Sequence, residues 1–207
     1  MCSCQLGRLA SWQSAGAHIC PCLTDTDAER NPMILSLFRK NSATEPVYAV
    51  YNCIVAQSRQ PVFYAQWAVP DTVTGRFDMI SLHMAMLFRR LRHEGDGAKT
   101  FSQAVFDLFF KDMDRSLREM GVTDIGVPKK IQKMGSLFFG LLAALNQALD
   151  QSDEVALADV LVRNVYEGNE GEHVAALAAY LRALDARLAA QPADAITNGR
   201  IQLEDAA

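Results

Sequence analysis

Apolar residues recur at helical spacing along most of this chain, and that pattern predicts an all-α protein. After Pro46, suited to the first turn of a helix, the stripe Val47, Val50, Tyr51, Ile54 and Val55 runs to about Arg59. Pro61 restarts the chain into a short aromatic segment, Phe63, Tyr64 and Trp67. Pro70 and Asp71 mark a turn, with Asp71 or Thr72 as the expected N-cap of the next helix. Met79, Leu82, His83 and Met86 share a face of that helix, which ends in Arg89, Arg90 and Arg92 before Gly95-Asp96-Gly97. Cations at a helix C-terminus are favourable, so the dipole is a sufficient reason for those arginines. Gly75 inside the helix costs ~1 kcal/mol relative to Ala, which the close approach of another helix would explain.

The pattern continues downstream. Phe101, Val105, Leu108, Phe109, Met113 and Leu117 predict a helix over 100–120, and Gly121 stops it. A loop over 124–128 leads to Pro128, which opens a helix carrying Leu137, Phe138, Leu141, Leu142, Leu145 and Leu149. Ser152-Asp153-Glu154 caps another, through Val155, Leu157, Val160, Leu161 and Val165, and an Ala-rich helix spans about 172–190. The expected architecture is a single-domain irregular bundle of six to seven helices. The division expected is 1–32 as a disordered extension or mis-called start, 33–190 as the helical domain and 191–207 as a flexible tail. The start at Met33 is suggested by MILSLFRK, which follows a stretch, polar and acidic toward its end, that reads poorly as a signal or a transit peptide.

Length and composition fit one globular domain: 207 residues, half of them hydrophobic and 21% charged. No apolar run reaches the ~18 residues that suggest a membrane span; Met134–Leu149 is broken by Asn146 and Gln147 and reads as a buried helix. The net charge of −4 is uneven. Residues 85–135 hold ten Lys/Arg against seven Asp/Glu, while 142–207 hold four against eleven. Such polarity suits steering toward a charged partner.

Little in the chain suggests catalysis. His18, His83, His93 and His173 lie on separate segments, without a zinc-protease, nucleophile-elbow or phosphate-loop motif. His83 with Asp78 and Asp112 is the one acid–base arrangement to weigh, against a histidine satisfied inside its helix. Cys2, Cys4, Cys20 and Cys22 form two Cys-x-Cys units, too tightly spaced for the usual zinc ribbons. Cys53 falls on an apolar stripe and reads as core. No catalytic residue, cofactor or metal site is therefore expected.

The segments VPDTVTGRFDMISLH, FDLFFKDMDRSLREMG, DIGVPKK and IQKM follow one another in order. Together they resemble the ubiquinol–cytochrome c chaperone family of alphaproteobacteria and mitochondria, over roughly Met33 to Leu149. The resemblance implies a non-enzymatic chaperone for respiratory complex III, with newly made cytochrome b as client. It implies work in the bacterial cytoplasm, peripheral to the inner membrane, or at the matrix side of mitochondria. Mitochondrial relatives act with a small partner subunit beside the ribosome. DNA is not among the partners implied. The alternative is a peripheral lipid-binding helical protein using a basic patch at Lys129, Lys130 and Lys133.

The partner surface expected within these motifs comprises Phe63, Tyr64, Asp71, Arg76, Phe77, Arg115, Glu119, Lys129 and Lys130. Arg76 has no good partner in its own helix, because residues two apart diverge. Arg115 and Glu119 are spaced to pair. The lysines stand near a helix start, where the dipole disfavours cations. Met79, Met84, Met86, Met113, Met120 and Met134 are the candidates for an adaptable apolar groove, at least half of them expected to fill core gaps.

Overall fold

The structure, a computed structural model, describes residues 44–203. Those residues form eight helices and no strand: α1 Glu45–Ser58, α2 Pro61–Ala65, α3 Val73–Leu91, α4 Asp96–Glu119, α5 Gly126–Asp150, α6 Glu154–Asn164, α7 Glu172–Ala189 and α8 Ala193–Thr197. Six are long and two are single turns. The Cys-x-Cys units, the 1–32 extension and the proposed start at Met33 lie outside the described residues.

Helix boundaries follow local chemistry. Thr72, rather than Asp71, caps α3: its Oγ1 accepts from the Gly75 amide at 3.0 Å. Asp153 caps α6 by accepting from the Ala156 amide at 3.0 Å. Gly121 adopts φ +79°, which ends α4 without a Cβ penalty. Two starts differ from the sequence pattern: α5 opens at Gly126, inside the expected 124–128 loop, and α4 opens before residue 100. Helix α4 begins at Asp96, so Gly97 lies inside its first turn, and Lys99 pairs with Asp96 at 2.9 Å there.

Helix α3 is the centre of the bundle, buried along nearly its whole length from Phe77 to Leu87. It packs against α1, α5 and α7. Its three terminal arginines do more than answer the dipole. Arg89 donates to Asp185 of α7 at 2.9 Å and Asp150 of α5 at 2.6 Å, and Arg92 also reaches Asp150 at 2.7 Å. Arg90 donates to the Leu188 and Gln191 carbonyls that end α7. One end of α3 thus gathers two neighbouring helices.

Helices α4 and α5 form an antiparallel hairpin, with Phe106 beside Phe139 and Phe110 beside Gly135. Phe109, Phe138 and Leu141 join the central core, the first two rings 6.1 Å apart. Leu117 is buried but stands outside that cluster, toward the hairpin tip. Met79, Met84 and Met86 fill the core, Met113 and Met134 are half-buried, and Met120 is exposed. Cys53 is buried on α1.

The segment after Pro192 does not trail as expected. Helix α8 buries Ile196, and Ile201 is buried after it. The Gln191 side chain clamps the backbone of Gln202, donating to its carbonyl at 2.8 Å and accepting from its amide at 2.7 Å. Two isoleucines on one turn and a loop make no periodic stripe, so the sequence pattern missed them.

Candidate functional site

The loop between α2 and α3 builds the first half of the site. The Pro70 carbonyl lies over the first turn of α3, so close to Gly75 that an added Cβ would be 2.0 Å from the oxygen. Gly75 therefore permits the loop to fold back on its own helix. That fold brings Asp71 to Arg76, whose Nε donates to Oδ1 at 2.7 Å. The hydrogen bond holds the Asp71 carboxyl below the usual carboxylate range. Both groups face solvent, which screens the pair and leaves it little role in stability. The Arg76 guanidinium also lies 6.0 Å from the centre of the Tyr64 ring, within cation–π range. Tyr64 is fixed in turn by its hydroxyl, which donates to the Ser58 carbonyl at 2.7 Å. Together with Arg59, Pro61 and Ala65, these side chains line a cavity of about 430 Å³.

A second cavity of about 430 Å³ opens between α1 and α4. Tyr48, Tyr51, Asn52 and Val55 line it from α1, and Lys111, Asp112 and Arg115 from α4. Here Asp112 is held from both sides. The Tyr51 hydroxyl donates to Oδ2 at 2.9 Å and Arg115 to Oδ1 at 2.5 Å. Burial, then the Asp112 carboxylate, raises the Tyr51 pKa, so the phenol stays protonated. Arg59 borders both cavities, and the two neighbouring cavities together are termed the Arg59 furrow. Asp71 and Asp112 are each already engaged by an arginine, whereas Arg59 has no ion pair among the described residues. The furrow thus offers a free cationic donor, Arg59, between tyrosines, an arrangement for holding the carbonyls or carboxylates of a protein segment.

The structure brings some of the expected residues together and separates others. Tyr64, Asp71 and Arg76 share the first cavity, and Arg115 lines the second. Glu119 is exposed, with Arg115 Nε 3.8 Å from its carboxylate. Phe63 and Phe77 face inward, so neither is available to a partner. Phe63 is fully buried, and Phe77 stacks on Phe109 at 5.7 Å and 11°. Apolar burial outweighs display for both rings. Arg76 does have a partner, in the preceding loop, where reasoning within one helix does not reach. Lys129 and Lys130 are exposed on α5 and line neither cavity. Sequence reasoning missed Arg59, Tyr48, Tyr51 and Lys111 as site residues. Tyr51 falls on the core stripe, and only its hydroxyl emerges from it.

His83 does not form an acid–base site with Asp78 or Asp112. It is buried, its Nδ1 2.7 Å from the Met79 carbonyl and its Nε2 2.8 Å from the Tyr180 hydroxyl. The carbonyl requires a proton on Nδ1, so Nε2 accepts from Tyr180, which itself accepts from Gln57 at 2.9 Å. Burial pushes the His83 pKa down to about 4, which keeps the ring neutral at physiological pH. Burial, and then Glu167, pushes Asp78 up to about 7. Among the described residues no group of three His, Cys, Asp or Glu side chains has the placement to hold a metal ion.

Comparison with known proteins decides the family. The model of the family described as "Ubiquinol-cytochrome C chaperone" matches residues 65–203. The chain belongs to that family. The match takes in the whole α2–α3 loop and reaches through α6, α7 and α8, well past the Leu149 limit of the motifs read from sequence. The crystal structure of the Cbp3 homolog from Brucella abortus is 40% identical, with a TM-score of 0.75. The alignment covers 84% of this chain and 98% of that one. Ubiquinol-cytochrome-c reductase complex assembly factor 1 of Xenopus laevis is 22% identical over 116 residues, 56% of this chain and 58% of the frog protein. The Homo sapiens protein of the same name is 24% identical over 135 residues, 64% of this chain and 45% of the human one. The chain thus spans about half the length of the curated relatives it matches. As in the sequence pattern, the ubiquinol–cytochrome c chaperone fold met here is all-α, and no described helix is long and apolar enough to cross a membrane.

Proposed function

We propose that this family member is a non-catalytic assembly factor for respiratory complex III that holds newly made cytochrome b at the inner face of the membrane. The observation that carries the reading is the Arg59 furrow, taken with the family to which the chain belongs. A holder of an unassembled subunit needs donors for polar chain segments and rigid amphipathic contacts around them. The furrow supplies three arginines, Arg59, Arg76 and Arg115, among Tyr48, Tyr51 and Tyr64. Tyrosine and arginine are the residues most able to carry a protein interface. The furrow's geometry is fixed before any partner arrives, because Tyr51, Tyr64 and Arg115 are already hydrogen-bonded. Pre-fixed side chains lose less freedom on binding.

The test is capture of cytochrome b from detergent-solubilised membranes by the purified protein. Arg59→Glu combined with Arg115→Glu should keep the helical content with a modest loss of stability, because Asp112 and Glu119 then face a like charge on α4. Capture should fall by about tenfold or more, one such step per ~1.4 kcal/mol of lost contact. Undiminished capture by the double variant would remove the furrow from this role.

A further inference from the structure

The far tip of the α4–α5 hairpin has a different character from the furrow. Seven large apolar side chains are exposed among the described residues, and four belong to the stretch between Met120 and Phe139. At the tip itself Ile125, in the connecting loop, is 81% exposed and Met120 50%, while Leu137 and Phe139, 52% and 57% exposed, lie farther along α5, level with Phe106. Lys129, Lys130 and Lys133 stand among them on the first turns of α5, exposed and without an ion pair among the described residues. The acids nearby are already engaged. Arg118 binds both Asp114 and Asp124, and Glu119 lies beside Arg115.

The tip also stands away from the core. Beyond Phe109, the last ten residues of α4 bury only Leu117, and the first turns of α5 bury only Val127. Hairpin register, with Phe110 beside Gly135, sets Lys129 and Lys130 level with Arg115 along the pair. Between Met113 and Met134 there are five cations and three carboxylates. An exposed apolar tip ringed by unpaired lysines matches the headgroup layer of an anionic bilayer, where apolar groups enter the acyl boundary and lysines meet phosphates. A helix start disfavours these lysines in the free protein, and lipid phosphates would remove that penalty.

We propose that the α4–α5 tip docks the protein on anionic phospholipid, with Ile125 and Met120 entering the interface and Lys129, Lys130 and Lys133 on the phosphates. This rests on the membrane-face part of the function proposed above and gives it a site separate from the Arg59 furrow. Attachment is reversible, because one short apolar tip and three lysines fall far short of a spanning helix.

Flotation with vesicles tests the assignment. The full protein should float with phosphatidylglycerol vesicles at low salt, release at high salt, and ignore phosphatidylcholine vesicles. Lys129→Glu with Lys130→Glu should weaken flotation about tenfold or more. Ile125→Ser should weaken it while leaving the salt dependence in place. Ile125→Trp should show a blue-shifted emission only with the anionic vesicles. Unfolding curves of the variants confirm that each is folded. Equal binding by the lysine variant, or none by the unaltered protein, overturns the assignment. If the lysine variant instead loses cytochrome b in detergent, the tip is a protein contact and the lipid assignment fails. Loss of vesicle binding with capture intact separates the two sites.

Discussion

Gly75→Ala should destabilise the protein severely, by about 3 kcal/mol or more in urea unfolding, at the upper end of overpacking effects. Alanine ordinarily stabilises a helix interior by ~1 kcal/mol over glycine, so an ordinary helical site would give the opposite sign. Here the new methyl would lie 2.0 Å from the Pro70 oxygen and 3.1 Å from its carbonyl carbon. Both are backbone atoms, and no rotamer change relieves the overlap. The loop must lift from α3, which parts Asp71 from Arg76 and strains the Thr72 cap. The substitution should therefore also weaken cytochrome b capture in whatever fraction remains folded. A variant as stable as the unaltered protein would show that the loop does not pack on α3 in this way.

Phe63→Ala should cost ~3–5 kcal/mol, the range for removing a fully buried aromatic ring. The ring has edge contacts with Trp67, His83 and Tyr180 at 5.3, 5.6 and 5.2 Å between centroids. Its loss opens a cavity beside the Gln57–Tyr180–His83 hydrogen-bond chain, which couples α1, α3 and α7. The outcome distinguishes core from interface. A partner-facing phenylalanine would change capture at constant stability, whereas Phe63→Ala should lower the unfolding midpoint first. Comparing urea midpoints with capture at a temperature where the variant remains folded separates the two.

The helices were legible because each long one carries a stripe, and a stripe is a local property of the chain. Val47 to Ile54 and Leu177 to Leu188 bury the residues that their spacing indicates, whereas Leu108 of the Phe101–Phe109 stripe is half-buried and Val155 of the α6 stripe is exposed. The site was less legible because its contacts join separate segments. Asp71 meets Arg76 only since Gly75 lets the loop fold back, and no periodicity encodes that. Tyr51 belongs to the core by its ring and to the furrow by its hydroxyl. Arg59 marks the end of a stripe, and nothing in sequence indicates that two cavities share it. Phe63 and Phe77 lie in the family-like stretch yet are buried in the core, so motif membership did not distinguish core from surface. Ile196 and Ile201 pack a tail that shows no repeat. The lysines of α5 were visible as charges against the dipole, but the exposed Ile125 beside them came only from the structure.

The central claim is that the protein serves complex III assembly through cytochrome b. Its most direct test is deletion of the gene in the organism that carries it, followed by difference spectroscopy of membrane haem b and c and assay of ubiquinol–cytochrome c reductase. The expected result is a loss of haem b signal and of reductase activity while other respiratory enzymes keep theirs, restored by the unaltered gene and not by the Arg59→Glu, Arg115→Glu form. Normal cytochrome b and normal reductase activity in the deletion strain would contradict it.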